Sequence, residues 1–163
     1  MRKKTVKWAV FLVLLLAVGL YTRSMPLSKV LPVDKAQQLD FLLTIPYTVP
    51  MGDSGGHWIK ESVYMPADMS DRATAQVLSD VLETVSCRRS LNPFAGKPVS
   101  SSRYGSMVIT VYSGTDRQDF VMVSCKKAAR IYYRHSYVAY VLEDGAYEQI
   151  ATVLQTYGSL REK

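Results

Sequence analysis

From Ser106 to Leu142 the chain is a succession of short β-prone runs separated by turn residues, and this limits the fold more than any other feature. Ser106–Tyr112 is strand-like, Gly114 to Arg117 supplies a turn, and Asp119–Cys125, Ala129–Tyr133 and Tyr137–Leu142 follow at short intervals. Connections this short join neighbouring strands, so the segment predicts an antiparallel meander. Upstream, Leu39, Phe41, Leu43 and Ile45 alternate with Gln38, Asp40, Leu42 and Thr44. That is a half-buried strand, which Pro46 is expected to end. Trp58 to Met65 reads as a second strand after a glycine- and proline-rich turn.

Two helical stripes accompany the strands. After Ser70, residues Ala73, Val77, Leu78, Val81, Leu82 and Val85 recur on one helical face. Ser70 or Asp71 is placed to cap the helix, and Arg88 and Arg89 fall where the C-terminal end of its dipole favours cations. A closing helix is expected from Asp144 or Gly145, turning Tyr147, Ile150, Ala151, Leu154 and Tyr157 to one side and stopping at Gly158. The fold class that follows is α+β: an N-terminal hydrophobic helix, then a mainly antiparallel sheet with two helices packed on one face.

The N-terminus reads as a targeting segment. Arg2, Lys3, Lys4 and Lys7 precede an uncharged apolar run from Trp8 to Tyr21, and Arg23 follows. Fourteen residues are few for a span, yet Ala17 and Gly19 sit inside the run rather than after it, so a retained anchor is favoured over a cleaved signal. The expected organisation is residues 1–23 as signal-anchor or signal peptide, 24–37 as a juxtamembrane linker containing Pro26 and Pro32, and 38–160 as one extracytoplasmic domain. The expected location is the cell membrane, single-pass, or outside the cell if the segment is cleaved.

The net charge of +6 resembles a nucleic-acid signal until the charges are placed. Five basic residues lie at or before Arg23 and no acid precedes Asp34, so residues 24–163 carry 15 basic against 14 acidic side chains. A nearly neutral domain lacks the basic footprint that DNA or RNA requires, and no nucleic-acid partner is expected. Cys87 and Cys125 form either a disulfide, which outside the cytoplasm would restrict the unfolded chain, or two buried thiols.

Residues 52 to 56 read Gly-Asp-Ser-Gly-Gly, the string around the nucleophile of trypsin-like serine proteases. Those enzymes run His, Asp, Ser along the chain, and both histidines here, His57 and His135, follow Ser54. The same residues fit the nucleophile elbow, whose order Ser54, Asp116 or Asp119, and His135 would satisfy. That site needs a strand turning into a helix within a parallel sheet, and no such series is present. A glycine-rich turn is the simpler reading, with a serine hydrolase using Ser54 as the alternative. Two distant histidines and no Cys-x-x-Cys pair give no metal site, and no cofactor is expected. The most distinctive candidate surface is Lys126, Lys127, Arg130, Tyr132 and Arg134. The last three share strand parity and would project together toward an anionic headgroup or polymer phosphate, unless they form only a solvated face.

The order of a strand, the Ser70 helix, a meander through Tyr112, Val123, Ile131 and Tyr137, and a closing helix resembles that of small extracytoplasmic domains of Gram-positive bacteria of the YhfM-like type, which follow an anchor or lipoprotein signal. This chain differs from the lipoprotein members in having no cysteine near the end of the apolar run. The resemblance implies location and fold. With the empty catalytic inventory, it leads to the expectation of a non-enzymatic, membrane-anchored binding or sensing domain. Its partner would be a protein or an anionic envelope polymer, met through the sheet face or the long loop from Ser90 to Gly105. An accessory subunit of a membrane assembly is the further alternative.

Overall fold

The structure, a computed structural model, describes residues 2–51, 56–92, 105–114, 118–133 and 136–162. Helix α1 (Arg2–Tyr21) leads. It is followed by β1 (Met25–Pro26), two 3-10 turns (Leu27–Lys29 and Val33–Lys35), β2 (Gln38–Met51), β3 (Gly56–Pro66), α2 (Arg72–Thr84) and β4 (Ser86–Arg89). Then come β5 (Ser106–Tyr112), β6 (Gln118–Cys125), β7 (Ala128–Tyr133), β8 (Ser136–Leu142), α3 (Ala146–Tyr157) and β9 (Gly158–Glu162). Among the described residues the strands form one nine-stranded sheet in the order β1-β4-β8-β7-β6-β5-β2-β3-β9, and each neighbouring pair runs antiparallel. The described residues make an α+β fold with one large antiparallel sheet and three α-helices.

The meander falls where the turn residues place it, because each short connection can only fold a strand back on its predecessor. Side chains directly opposite in an antiparallel ladder share a face. Following the register from β2 therefore gives continuous rows: Phe41, Ile109, Met122, Ile131 and Val138, then Leu43, Met107, Ser124, Ala129 and Tyr140. These rows make the inner face. They share one core with Leu78 and Leu82 of α2 and Ile150 and Leu154 of α3, all fully buried. Asp71 caps α2, accepting hydrogen bonds from the N–H groups of Ala73 (2.9 Å) and Thr74 (3.4 Å) and from the Thr74 hydroxyl (2.6 Å). Those bonds hold its carboxyl below the ordinary carboxylate value.

Several expectations are corrected. Pro46 does not end β2, which runs on to Met51. The Leu39 N–H points away from β5 to the Met69 carbonyl (2.8 Å), while a Cβ at Gly105 would stand 2.9 Å from the Thr44 carbonyl, which faces β5. Odd residues of β2 thus direct their backbone groups toward β3 and even ones toward β5. The missing N–H groups of Pro46 and Pro50 fall on the β5 side, where among the described residues β2 has no partner beyond Thr44, and the ladder to β3 loses nothing. Arg88 and Arg89 do not close α2: the helix stops at Thr84 and both arginines belong to β4. Residues 24–37 are not a linker. Leu27, Leu31 and Val33 are buried, and the Leu27 N–H donates to the Val85 carbonyl (3.0 Å).

The membrane expectation is overturned. Among the described residues no helix is long and apolar enough to cross a membrane. The fourteen uncharged residues Trp8–Tyr21 of α1 rise only about 21 Å, against about 30 Å of hydrocarbon. The spanning anchor, the membrane as partner through the N-terminal segment and the single-pass location fall with it. The apolar side chains of α1 are exposed from Val6 to Leu20, and the helix ends with Tyr21 beneath the Arg89 guanidinium, 5.4 Å from the ring centroid.

Gly158 ends α3 for a reason other than handedness. It is extended (φ −89°, ψ 152°), not left-handed. A Cβ there would collide with the Leu154 carbonyl oxygen and press within 3.2 Å of Phe41 and Tyr64. The residue is glycine because helix and sheet meet there without room for a side chain. Gly158→Ala is expected to cost about 1–3 kcal/mol, as overpacking does. Urea unfolding monitored by circular dichroism would show it as a lower midpoint, and an unchanged midpoint would contradict the tight approach.

Candidate functional site

The side of the sheet away from the core is not the alternating polar surface that a one-faced sheet predicts. One row reads Leu42, Val108, Val123, Arg130 and Ala139 across five strands; the next reads Asp40, Thr110, Val121, Tyr132 and Tyr137. Among these, Val108, Val121, Val123 and Tyr132 are half-buried, Leu42 and Tyr137 are exposed, and Thr110, Arg130 and Ala139 are buried. The signal lay in the near-continuous apolar runs of β5 and β6, which suit strands covered on both faces.

Arg130 is the centre of this face. Its side chain is only 6 % exposed, and its guanidinium stands over the Tyr137 ring at 4.5 Å. Tyr137 in turn lies against Tyr132, with ring centroids 5.4 Å apart. The geometry is a cation–π contact between diagonal neighbours on β7 and β8, strengthened by the exclusion of water. The shared parity of Arg130 and Tyr132 is present as the spacing predicts. The solvated arginine is not, because apolar neighbours on three strands crowd it.

The two lysines of the basic cluster lie on a turn apart from it. Lys126 and Lys127 lie in the turn between β6 and β7, and Arg134 lies outside the described residues. Lys127 Nζ is 2.6 Å from Asp144 Oδ1, an exposed pair in which the hydrogen bond raises the lysine pKa and lowers that of the carboxyl. The open groove of about 510 Å³ beside it contains Arg88, Lys127, Glu143 and Asp144, a balanced set of charges rather than an anion cradle. Lys126 has φ 50°, the left-handed region that a side chain disfavours.

The cysteines are free thiols and stand three strands apart in the order β4-β8-β7-β6. At about 4.8 Å per strand this is about 14 Å, twice the reach of a disulfide. By register Cys87 lies on the inner face opposite Leu142, whereas Cys125 opposes Ala128 on the outer face. Burial, then the nearby Glu143 carboxylate, pushes the Cys87 thiol up to about 12. The Tyr147 hydroxyl, buried without a hydrogen-bond partner, is also pushed up to about 12, by burial first.

Ser54, Asp116 and His135 lie outside the described residues. The flanks of Ser54 are described, however: Met51 pairs with Gly56, so the motif joins two strands of a hairpin and not a strand to a helix. A nucleophile elbow requires the latter. Among the described residues no group of three or more His, Cys, Asp or Glu side chains could hold a metal ion. Comparison of the chain with protein-family models, with curated proteins and with solved structures gave no match.

Two outcomes check this description. Iodoacetamide at pH 8 should label Cys125 in the folded protein and reach Cys87 only after denaturant is added; equal labelling would refute the burial. The native state holds the protons of Cys87 and Tyr147 more tightly than the unfolded chain does, so their contribution is complete below the unfolded values of 9.0 and 10.0 and is lost as pH rises toward 12. Unfolding midpoints should therefore fall through that alkaline window, less steeply in Cys87→Ala. Separately, Lys126→Gly should raise stability by about 1 kcal/mol by relieving the positive φ.

Proposed function

We propose that this chain is a non-catalytic binding domain that recognises a protein partner through the outer face of its sheet. The observation that carries the reading is the pair of rows crossing β2, β5, β6, β7 and β8, where half-exposed aliphatic side chains surround the tilted pair Tyr132 and Tyr137 and the guanidinium of Arg130. We read both α2 and α3 as lying on the inner side, which leaves the outer rows to meet a partner. Tyrosine and arginine in an apolar setting are the residue types that dominate binding energy at protein interfaces. An arginine already held by a tyrosine ring is pre-organised, so little side-chain entropy is lost on docking.

A protein surface suits this face better than an anionic polymer. The buried guanidinium is committed to Tyr137, and the exposed Lys127 to Asp144. A polyanion would need cations presented to solvent along a track. The hairpin around Ser54 and the antiparallel sheet argue against the hydrolase alternative.

The test places a photo-crosslinking amino acid at Val121 or Tyr137 in cells, with Gln76 of α2 as the control. A discrete adduct from the outer-face positions, absent from Gln76 and reduced at least tenfold by Tyr132→Ala, is the expected result. The same adducts from all positions, or none from the outer face, would overturn the reading. Circular dichroism of Tyr132→Ala should remain native.

A further inference from the structure

The hairpin formed by β2 and β3 outruns the sheet. Beyond Thr44, β2 has no partner except β3, and before Ser62, β3 has none except β2, among the described residues. This two-stranded arm carries exposed apolar side chains: Tyr47 at 42 %, Trp58 at 59 % and Ile59 at 42 %. A bare ribbon of this kind is marginal in water, and an open strand edge is a template for another strand.

The two edges differ. Odd residues of β2 direct their backbone groups toward β3, so their register partners Trp58 and Lys60 face inward and His57, Ile59 and Glu61 face outward. The outer edge of β2 is interrupted by Pro46 and Pro50, which have no N–H to offer. The edge of β3 from His57 to Glu61 contains no proline, and β9 covers it only from Ser62 onward.

We infer that this edge pairs with the same edge of a second copy of the chain, antiparallel and with the two-fold axis at Ile59. That register is self-complementary. Ile59 meets its counterpart as a hydrogen-bonded pair, exchanging both backbone bonds, and each His57 meets the partner's Glu61 in the same way. The side chains agree with the backbone: the imidazole of His57 comes beside the partner's Glu61 carboxylate, and Trp58 comes beside the partner's Lys60, an aromatic face against an ammonium. Shifting the axis to Trp58 sets Lys60 against Gly56 and leaves Glu61 without His57. Pairing stops at Ser62, where β9 takes over the edge. Because the interface is isologous, one contact completes it.

The experiment uses the full chain with Cys125→Ser to remove the accessible native thiol. Directly opposed residues of a hydrogen-bonded pair have Cα atoms about 5.5 Å apart, within disulfide range. Ile59→Cys should give a covalent dimer under mild oxidation, at least tenfold faster than Tyr47→Cys on the other strand. Ile59→Pro removes an outward N–H that the hairpin ladder does not use, so it should keep the native circular dichroism and weaken dimerisation at least tenfold by sedimentation equilibrium. A monomeric parent protein, equal crosslinking rates for the two cysteine variants, or undiminished dimerisation of Ile59→Pro would each overturn the inference. If Ile59→Pro loses the native spectrum, the crosslinking rates alone decide.

Discussion

The alternation along β2 governs how the rest of the molecule is assembled. Leu39, Phe41 and Leu43 point to the core, and the same strand pairs with the meander through β5 and with the C-terminal strands through β3. A slip of one residue at β2 would turn this apolar set outward and bring Asp40 and Thr44 against Ile150 and Leu154. The register is also held from the ends: Gly158 lets the terminus of α3 touch Phe41 and Tyr64, an approach that tolerates no misalignment of β2 and β3. The helices, the 3-10 turns that bury Leu27 and Val33, and the stack of inner rows all depend on this one strand keeping its parity.

Much of this was legible in the sequence. The four meander strands, the stripe of α2 and the closing helix follow from periodicity and turn chemistry, which are local properties. What was not legible depends on partners distant in the chain. Strands β1, β4 and β9 are short, and each is a strand only because another edge lies beside it; Ser86–Arg89 by itself resembles the tail of α2. Pro46 reads as a terminator unless the side of β2 that its nitrogen faces is known. The candidate site was half legible: the parity of Arg130 and Tyr132 is intrinsic to a strand. Whether that arginine is solvated depends on Val123 on the adjacent strand and Val108 one strand further, and no spacing rule reveals it.

The molecule therefore carries two unlike surfaces. The outer rows are broad, and their centre is set by a cation held against an aromatic ring. The arm is narrow, and its character comes from backbone groups along one edge. Substitutions on one should leave the other unaffected, since Arg130 and Ile59 lie on strands separated in the sheet by β6, β5 and β2.

The prolines of β2 bear on how such a molecule avoids becoming a fibre. A ribbon with two competent edges propagates, because each added strand presents a fresh edge to the next. Pro46 and Pro50 make the arm one-sided, so any strand that joins it meets a dead end on the far side. Growth stops at a finite particle, and an exposed, tryptophan-bearing hairpin persists without seeding a filament.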